Sequence, residues 1–198
     1  MSENGGAGRG TMARIPEGEL RRGWTTGACA AAATKAAYLA LLTSRFPDPV
    51  SIQLPGGQRP SFELIEKSLR SKRATAAVIK DAGDDPDVTH GAVIRATVCR
   101  GEPGSRVLFI AGEGVGVVTR PGLPIAVGEP AINPGPRKLI RSVIAEIAHD
   151  RGEADDVEVT LAIPGGDALA DRTTNARLGI VGGLSILGTT GVVIPYSC

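Results

Sequence analysis

The segment Lys80-Asp81-Ala82-Gly83-Asp84-Asp85-Pro86-Asp87-Val88-Thr89-His90-Gly91 sets four carboxylates and one of the two histidines between apolar runs. Like charges this close repel, and favour a cation, a shared proton or a solvated turn. Three readings fit Asp84, Asp85, Asp87 and His90. Their oxygens suit a divalent metal, although the alternating acidic positions and closing Glu of a calcium loop are missing. An imidazole among carboxylates suits a general base. The third reading is a tight Asp-Pro turn whose side chains cap its own backbone.

A second set is cationic. Arg137, Lys138 and Arg141 fall in the first turns of an expected helix, and Arg21 and Arg22 stand just before another. Cations are misplaced against the positive end of a helix dipole, so an anion site is one reading. The other is that these side chains reach away into water. The glycine run Gly112-Glu113-Gly114-Val115-Gly116 follows a strand-like stretch. A dinucleotide loop would need a helix to begin there. Instead Val117-Val118-Thr119-Arg120-Pro121-Gly122 reads as strand then turn, which favours a hairpin or a close approach of backbone to a bulky ligand. The closing run Gly179–Gly191 has no ionisable group and could wall an apolar pocket, with Asp171-Arg172-Thr173-Thr174-Asn175 lining its rim.

These residues must be positioned by the elements around them. The alanine-rich stretch after Trp24-Thr25 predicts a helix over Thr26–Ser44, capped by threonine and ended before Pro47. Leu139, Ile140, Val143, Ile144 and Ile147 form one apolar face and predict a helix over Pro136–Arg151, closed by Gly152. Strands are expected at Val50–Leu54, Ser61–Ile65, Thr75–Asp81, Ala92–Cys99, Arg106–Ala111 and Val157–Ile163. The pattern predicts an α+β fold, a mixed sheet with two long helices packed on it. Residues 1–18 are polar and glycine-rich and read as a disordered tail, with one domain over 19–198.

Composition narrows the function. Aromatics make up only 3% of the chain, too few for a surface that stacks bases, and a net charge of +1 argues against a nucleic-acid binder. No apolar run reaches the roughly 18–20 residues of a membrane span. Cys29, Cys99 and Cys198 are odd in number and lack metal-ligand spacing, so a reducing cytoplasm is expected and no protein-held metal.

Several longer motifs carry a resemblance. Trp24-Thr25-Thr26-Gly27-Ala28-Cys29-Ala30-Ala31-Ala32, the acidic Asp81–Gly91 run, Gly112–Gly116, Val127-Gly128-Glu129-Pro130-Ala131-Ile132-Asn133-Pro134 and Leu178–Gly191 resemble, in order, the cobalt-precorrin-5B C1-methyltransferase family. The resemblance implies methyl transfer from S-adenosylmethionine to C1 of a cobalt-bearing tetrapyrrole in cobalamin biosynthesis, giving cobalt-precorrin-6A. Cobalt would then arrive with the substrate. Within it, Asp84, Asp85, Asp87 and His90 are the expected reaction centre. Thr25, Thr26, Gly27, Lys35, Asn133, Arg137, Lys138 and Arg141 are the expected substrate-binding residues. Gly112, Gly114, Gly116, Thr189 and Thr190 are the expected cofactor-binding residues. Members of that family are considerably longer, with a further α/β part, so a C-terminal truncation is expected. The alternative is a non-catalytic tetrapyrrole-binding module or an inactive shortened form. An apolar C-terminal end would favour a homo-oligomer.

Overall fold

The computed structural model describes residues 19–197, so the expected tail over 1–18 lies outside the described residues. In chain order the elements are β1 (Gly23–Trp24), α1 (Thr26–Thr43), β2 (Val50–Ser51), β3 (Ser61–Phe62), β4 (Glu66–Arg70), β5 (Arg73–Ile79), β6 (Val93–Arg100) and β7 (Val107–Ala111). They continue with β8 (Val117–Val118), α2 (Pro134–Arg151), β9 (Val157–Ala162), α3 (Gly166–Ala170), β10 (Ile180–Val181) and β11 (Val192–Val193). The main sheet runs β4-β5-β6-β9-β7. It is antiparallel except for the β7–β9 pair, so the sheet is mixed as expected.

Helix α1 packs against β5, β6 and α2. Its alanines Ala28, Ala30, Ala31, Ala32, Ala33, Ala36, Ala37 and Ala40 are all fully buried. Small side chains let a helix approach both a sheet and a second helix, and an apolar surface all round is the mark of a buried helix. Thr25 caps it, accepting from Ala28 N at 3.2 Å. Helix α2 buries one face, Leu139, Ile140, Val143, Ile144 and Ile147 among it. It begins two residues before the expected Pro136, and Gly152 closes it in the left-handed conformation.

Two expected strands shorten, and one strand is new. Val50–Leu54 and Ser61–Ile65 shrink to two-residue strands, although Ile52, Leu54 and Leu64 stay buried. The polar stretch Glu66–Arg70 forms β4, an edge strand with little burial, held by its ladder to β5. The closing run Gly179–Gly191 supplies β10, which pairs with β8, and leads into β11, which pairs with β1.

Candidate functional site

The starts of both long helices converge on one segment, Ile186–Gly188. Gly27 N donates to Leu187 O at 2.8 Å, and Asn133 N donates to Ile186 O at 3.0 Å. On the α1 side lies a cavity of about 270 Å³, walled by Thr25, Thr26, Asp87, Thr89, Thr173, Asn175, Ser185 and Gly188 among others. On the α2 side lies an open groove of about 710 Å³, lined by Pro124, Ile125, Glu129, Arg137, Lys138 and Arg141 among others.

The polar core marks the cavity. Among the described residues the buried polar side chains are Thr26, Thr34, Lys80, Thr89 and Asn175. Thr26, Thr89 and Asn175 line the cavity, and Lys80 grips its carboxylate. Burying such groups is costly without partners, so their gathering at one hollow needs a reason beyond packing. Thr34, the exception, simply donates back to Ala30 O in α1.

The acidic loop resolves into four different carboxylates. Asp87 takes Lys80 Nζ on Oδ2 at 2.6 Å, and Thr89 N and Thr89 Oγ1 on Oδ1 at 2.7 and 2.6 Å. Burial pushes its pKa up, but the Lys80 and Thr89 bonds outweigh it and hold it below the ordinary value. Asp81 takes both terminal nitrogens of Arg21, at 2.5 and 2.9 Å, and its pKa falls to about 2, chiefly through that pair. Asp84 accepts from Arg21 N at 2.6 Å, and Asp85 from Tyr196 N at 3.0 Å. His90 spends its Nδ1 lone pair on Ala82 N at 3.1 Å. The repulsion of this run is thus relieved by two cations and backbone N–H groups. Among the described residues no cluster of His, Cys, Asp or Glu is placed to hold a metal ion.

The expected reaction centre therefore divides. Asp87 faces the cavity, while Asp84 and Asp85 tie the loop to the segments before α1 and after β11, and only His90 bonds the loop's own backbone. Thr25 and Thr26 also line the cavity. Gly27 instead lets the helices meet, since a Cβ there would lie 2.7 Å from Pro136 Cγ and 2.9 Å from Leu187 O. Lys35 sits apart, in a hollow with Leu39, Glu146 and Asp150 between the two helices. Asn133 is the N-cap of α2, with no side-chain cap bond.

The cations of α2 also divide. Arg137 bonds Ile132 O at 2.8 Å, Pro130 O at 3.0 Å and Glu129 at 3.1 Å. Arg137 and Arg141 stand over the Phe109 ring, 5.2 and 5.1 Å from its centre. Lys138 and Arg141 are exposed on the groove. The expected cofactor glycines are packed closely against other parts of the chain. A Cβ at Gly114 would fall 2.0 Å from Ile163 O, at Gly116 2.9 Å from Gly183 O, and at Gly112 2.9 Å from Leu161 O. At each of them the chain's own backbone occupies the direction a side chain would take. Thr189 and Thr190 are exposed and line neither hollow.

Lys80 and Thr89 escape the sequence reading. The alternation Ala76, Val78, Lys80 was the available signal, because it continues the inward face of β5 with a charge.

An α+β domain with a five-stranded mixed sheet, and with a small cavity and a cation-edged groove on either side of one segment, is the class that the fold and the two hollows define. The chain belongs to the CbiD family, whose model matches residues 14–195. It is 62% identical over 179 residues to the cobalt-precorrin-5B C(1)-methyltransferase of Agrobacterium fabrum, covering 90% of this chain and 47% of that one. The protein of that name from Paramagnetospirillum magneticum is 61% identical, with 92% and 51% covered. The 1.9 Å crystal structure of the cobalamin biosynthesis protein (cbiD) from Archaeoglobus fulgidus aligns with a TM-score of 0.68 at 32% identity, covering 91% of this chain and 57% of that one. The chain spans about half the length of the curated relatives it matches.

Proposed function

We propose that this chain carries part of a site that methylates C1 of cobalt-precorrin-5B, with S-adenosylmethionine as the donor. The observation that carries it is the convergence of the acidic loop, the α1 start, Thr173–Asn175 and Ser185–Gly188 on one cavity beside a cationic groove. The names of the relatives supply the reaction. The bound donor would supply an electrophilic methyl on a sulfonium, and the donor set around the cavity fits it: one ionised carboxylate, hydroxyls and an amide.

The residues here position and desolvate. Such a transfer asks for alignment of the reacting atoms, and no covalent nucleophile is needed. Asp87 stays ionised at neutral pH, so it holds a donor hydrogen or steadies positive charge. Lys138 and Arg141 offer charge to acetate and propionate groups on the macrocycle, and Pro124, Ile125 and Pro134 offer apolar surface to the ring. Arg137 shapes the groove by bracing Pro130 and Ile132. No helix among the described residues is long and apolar enough to cross a membrane. The free thiols Cys29 and Cys99 support action in the reducing cytoplasm.

The test is transfer of labelled methyl to cobalt-precorrin-5B by this chain and by the full-length Agrobacterium relative. Asp87→Asn in the relative is expected to lower turnover at least about tenfold, the loss of one charge-assisted hydrogen bond. Unchanged turnover would remove Asp87 from the site. Macrocycle binding without transfer by this chain would support a binding module.

A further inference from the structure

The cavity beside α1 and the groove beside α2 select different chemistries. The groove offers free cations, whereas the cavity offers one carboxylate already matched by a buried lysine. An ionised carboxylate has about four acceptor positions. Thr89 N and Thr89 Oγ1 take two on Oδ1 of Asp87, and Lys80 takes one on Oδ2. One acceptor position on Oδ2 is left.

Thr26 adds a second open group. The residue is 6% exposed, it lines the cavity, and its hydroxyl has no hydrogen-bond partner among the described residues. Asn175 and Ser185 already bond each other at 3.3 Å, which fixes that wall. The open groups thus include an acceptor on Asp87 and the buried Thr26 hydroxyl, able to donate or accept, with the Thr25 and Thr174 hydroxyls nearer the rim. A carboxylate ligand would meet Asp87 and the neighbouring Asp84 and Asp85 with like charge. An apolar ligand would cover both open groups and leave them without partners, which is costly.

The volume decides between the remaining candidates. About 270 Å³ lies at the small end of ligand pockets. It has room for a group the size of a sugar or nucleoside and cannot enclose a tetrapyrrole. We propose that this cavity receives the ribose of a nucleoside, one hydroxyl of its vicinal diol donating to Asp87 and the other meeting Thr26. Resting on the methyl-transfer reading, that nucleoside is the adenosyl part of the methyl donor, with the macrocycle in the α2 groove. Lys80 is then a positioning residue, which keeps Asp87 charged and turned to the cavity.

Titration calorimetry on the 198-residue chain tests this with adenosine, 2′,3′-dideoxyadenosine, S-adenosylhomocysteine and methionine. Adenosine and S-adenosylhomocysteine are expected to bind, and the dideoxy compound about tenfold more weakly. Thr26→Val breaks no internal hydrogen bond, so it keeps the fold and is expected to weaken adenosine several-fold, with Thr26→Ser restoring it. Asp87→Asn is expected to weaken adenosine about tenfold. Equal binding of the two nucleosides, or indifference to both Thr26→Val and Asp87→Asn, overturns the assignment. So does competition by methionine but not by adenosine, which would put an ammonium on Asp87. Failure of adenosine to bind both this chain and the full-length Agrobacterium relative overturns it as well. Nucleoside binding of the expected kind, with no label transferred by the relative, would instead sink the methyl-transfer reading and leave the ribose site standing.

Discussion

A single ion pair sets the character of the cavity. Lys80 is 1% exposed and Asp87 26%. Removing one partner of a buried pair strands the other charge, whereas removing both costs less. Lys80→Met is expected to destabilise the fold by about 3 kcal/mol. Lys80→Met with Asp87→Asn should recover a large part of that, as read by urea unfolding. Additive losses would mean that the two groups do not interact. Acid stability follows from the neighbouring carboxylate. The Asp81 pKa drops from 3.8 to about 2, chiefly through its hydrogen bond to Arg21. A depressed folded pKa gives stability that is fully present above the unfolded value and lost as pH falls through the folded one. The Asp81 contribution is therefore complete above about pH 4 and fades towards pH 2, with Asp87 adding in the same direction. Arg21→Gln should flatten this acid limb in denaturant midpoints measured from pH 5 to pH 2. An unaltered limb would show that the exposed pair is screened out.

At the scale of elements, the two helix starts depend on what is missing from Gly27. An alanine there gains up to about 1 kcal/mol of helix propensity. Its Cβ, however, would press on the Pro136 ring and on Leu187 O, both held in packed backbone. The clash should win, and Gly27→Ala is expected to lower stability by about 1–3 kcal/mol in urea unfolding. Stabilisation would show that α2 can step back. Both helices were legible in the sequence, because a 3.6-residue apolar face and an alanine-rich run are local patterns. Strand β4 was not, since an edge strand exposed on both sides need not alternate. The close packing of the Gly112–Gly116 run was not legible, because its partners, the backbones of Leu161, Ile163 and Gly183, arrive from far along the chain. The acidic loop shows both cases. Its importance was plain from composition, but its roles depend on partners 7, 60 and 111 positions away. Only Lys80 among them lies nearby, one residue past β5 on its inward alternation, a signal the sequence reading passed over.

Across the whole molecule, a net charge of +1 hides a separation. The acidic loop borders the cavity, and free cations border the groove, with Ile186–Gly188 between them. A molecule joining an uncharged nucleoside to a polyanionic ring needs that arrangement, because a uniformly basic surface would draw ring carboxylates into both hollows. The two halves should answer salt differently. Lys138 and Arg141 are exposed, so their attraction is screened within about 10 Å at 0.1 M salt. The Lys80–Asp87 pair is buried on the lysine side and is screened far less. Raising salt from about 0.05 to about 0.5 M should therefore raise the KM for the macrocycle several-fold in the full-length Agrobacterium relative. Over that range adenosine affinity for this chain should change less than about twofold. Lys138→Ala with Arg141→Ala should remove most of the salt dependence of KM without moving the nucleoside affinity. Arg137→Ala should instead cost stability, because its guanidinium braces Pro130 and Ile132. Equal salt sensitivity in both ligands, or its persistence in the double variant, would mean that the groove cations do not meet the ring carboxylates.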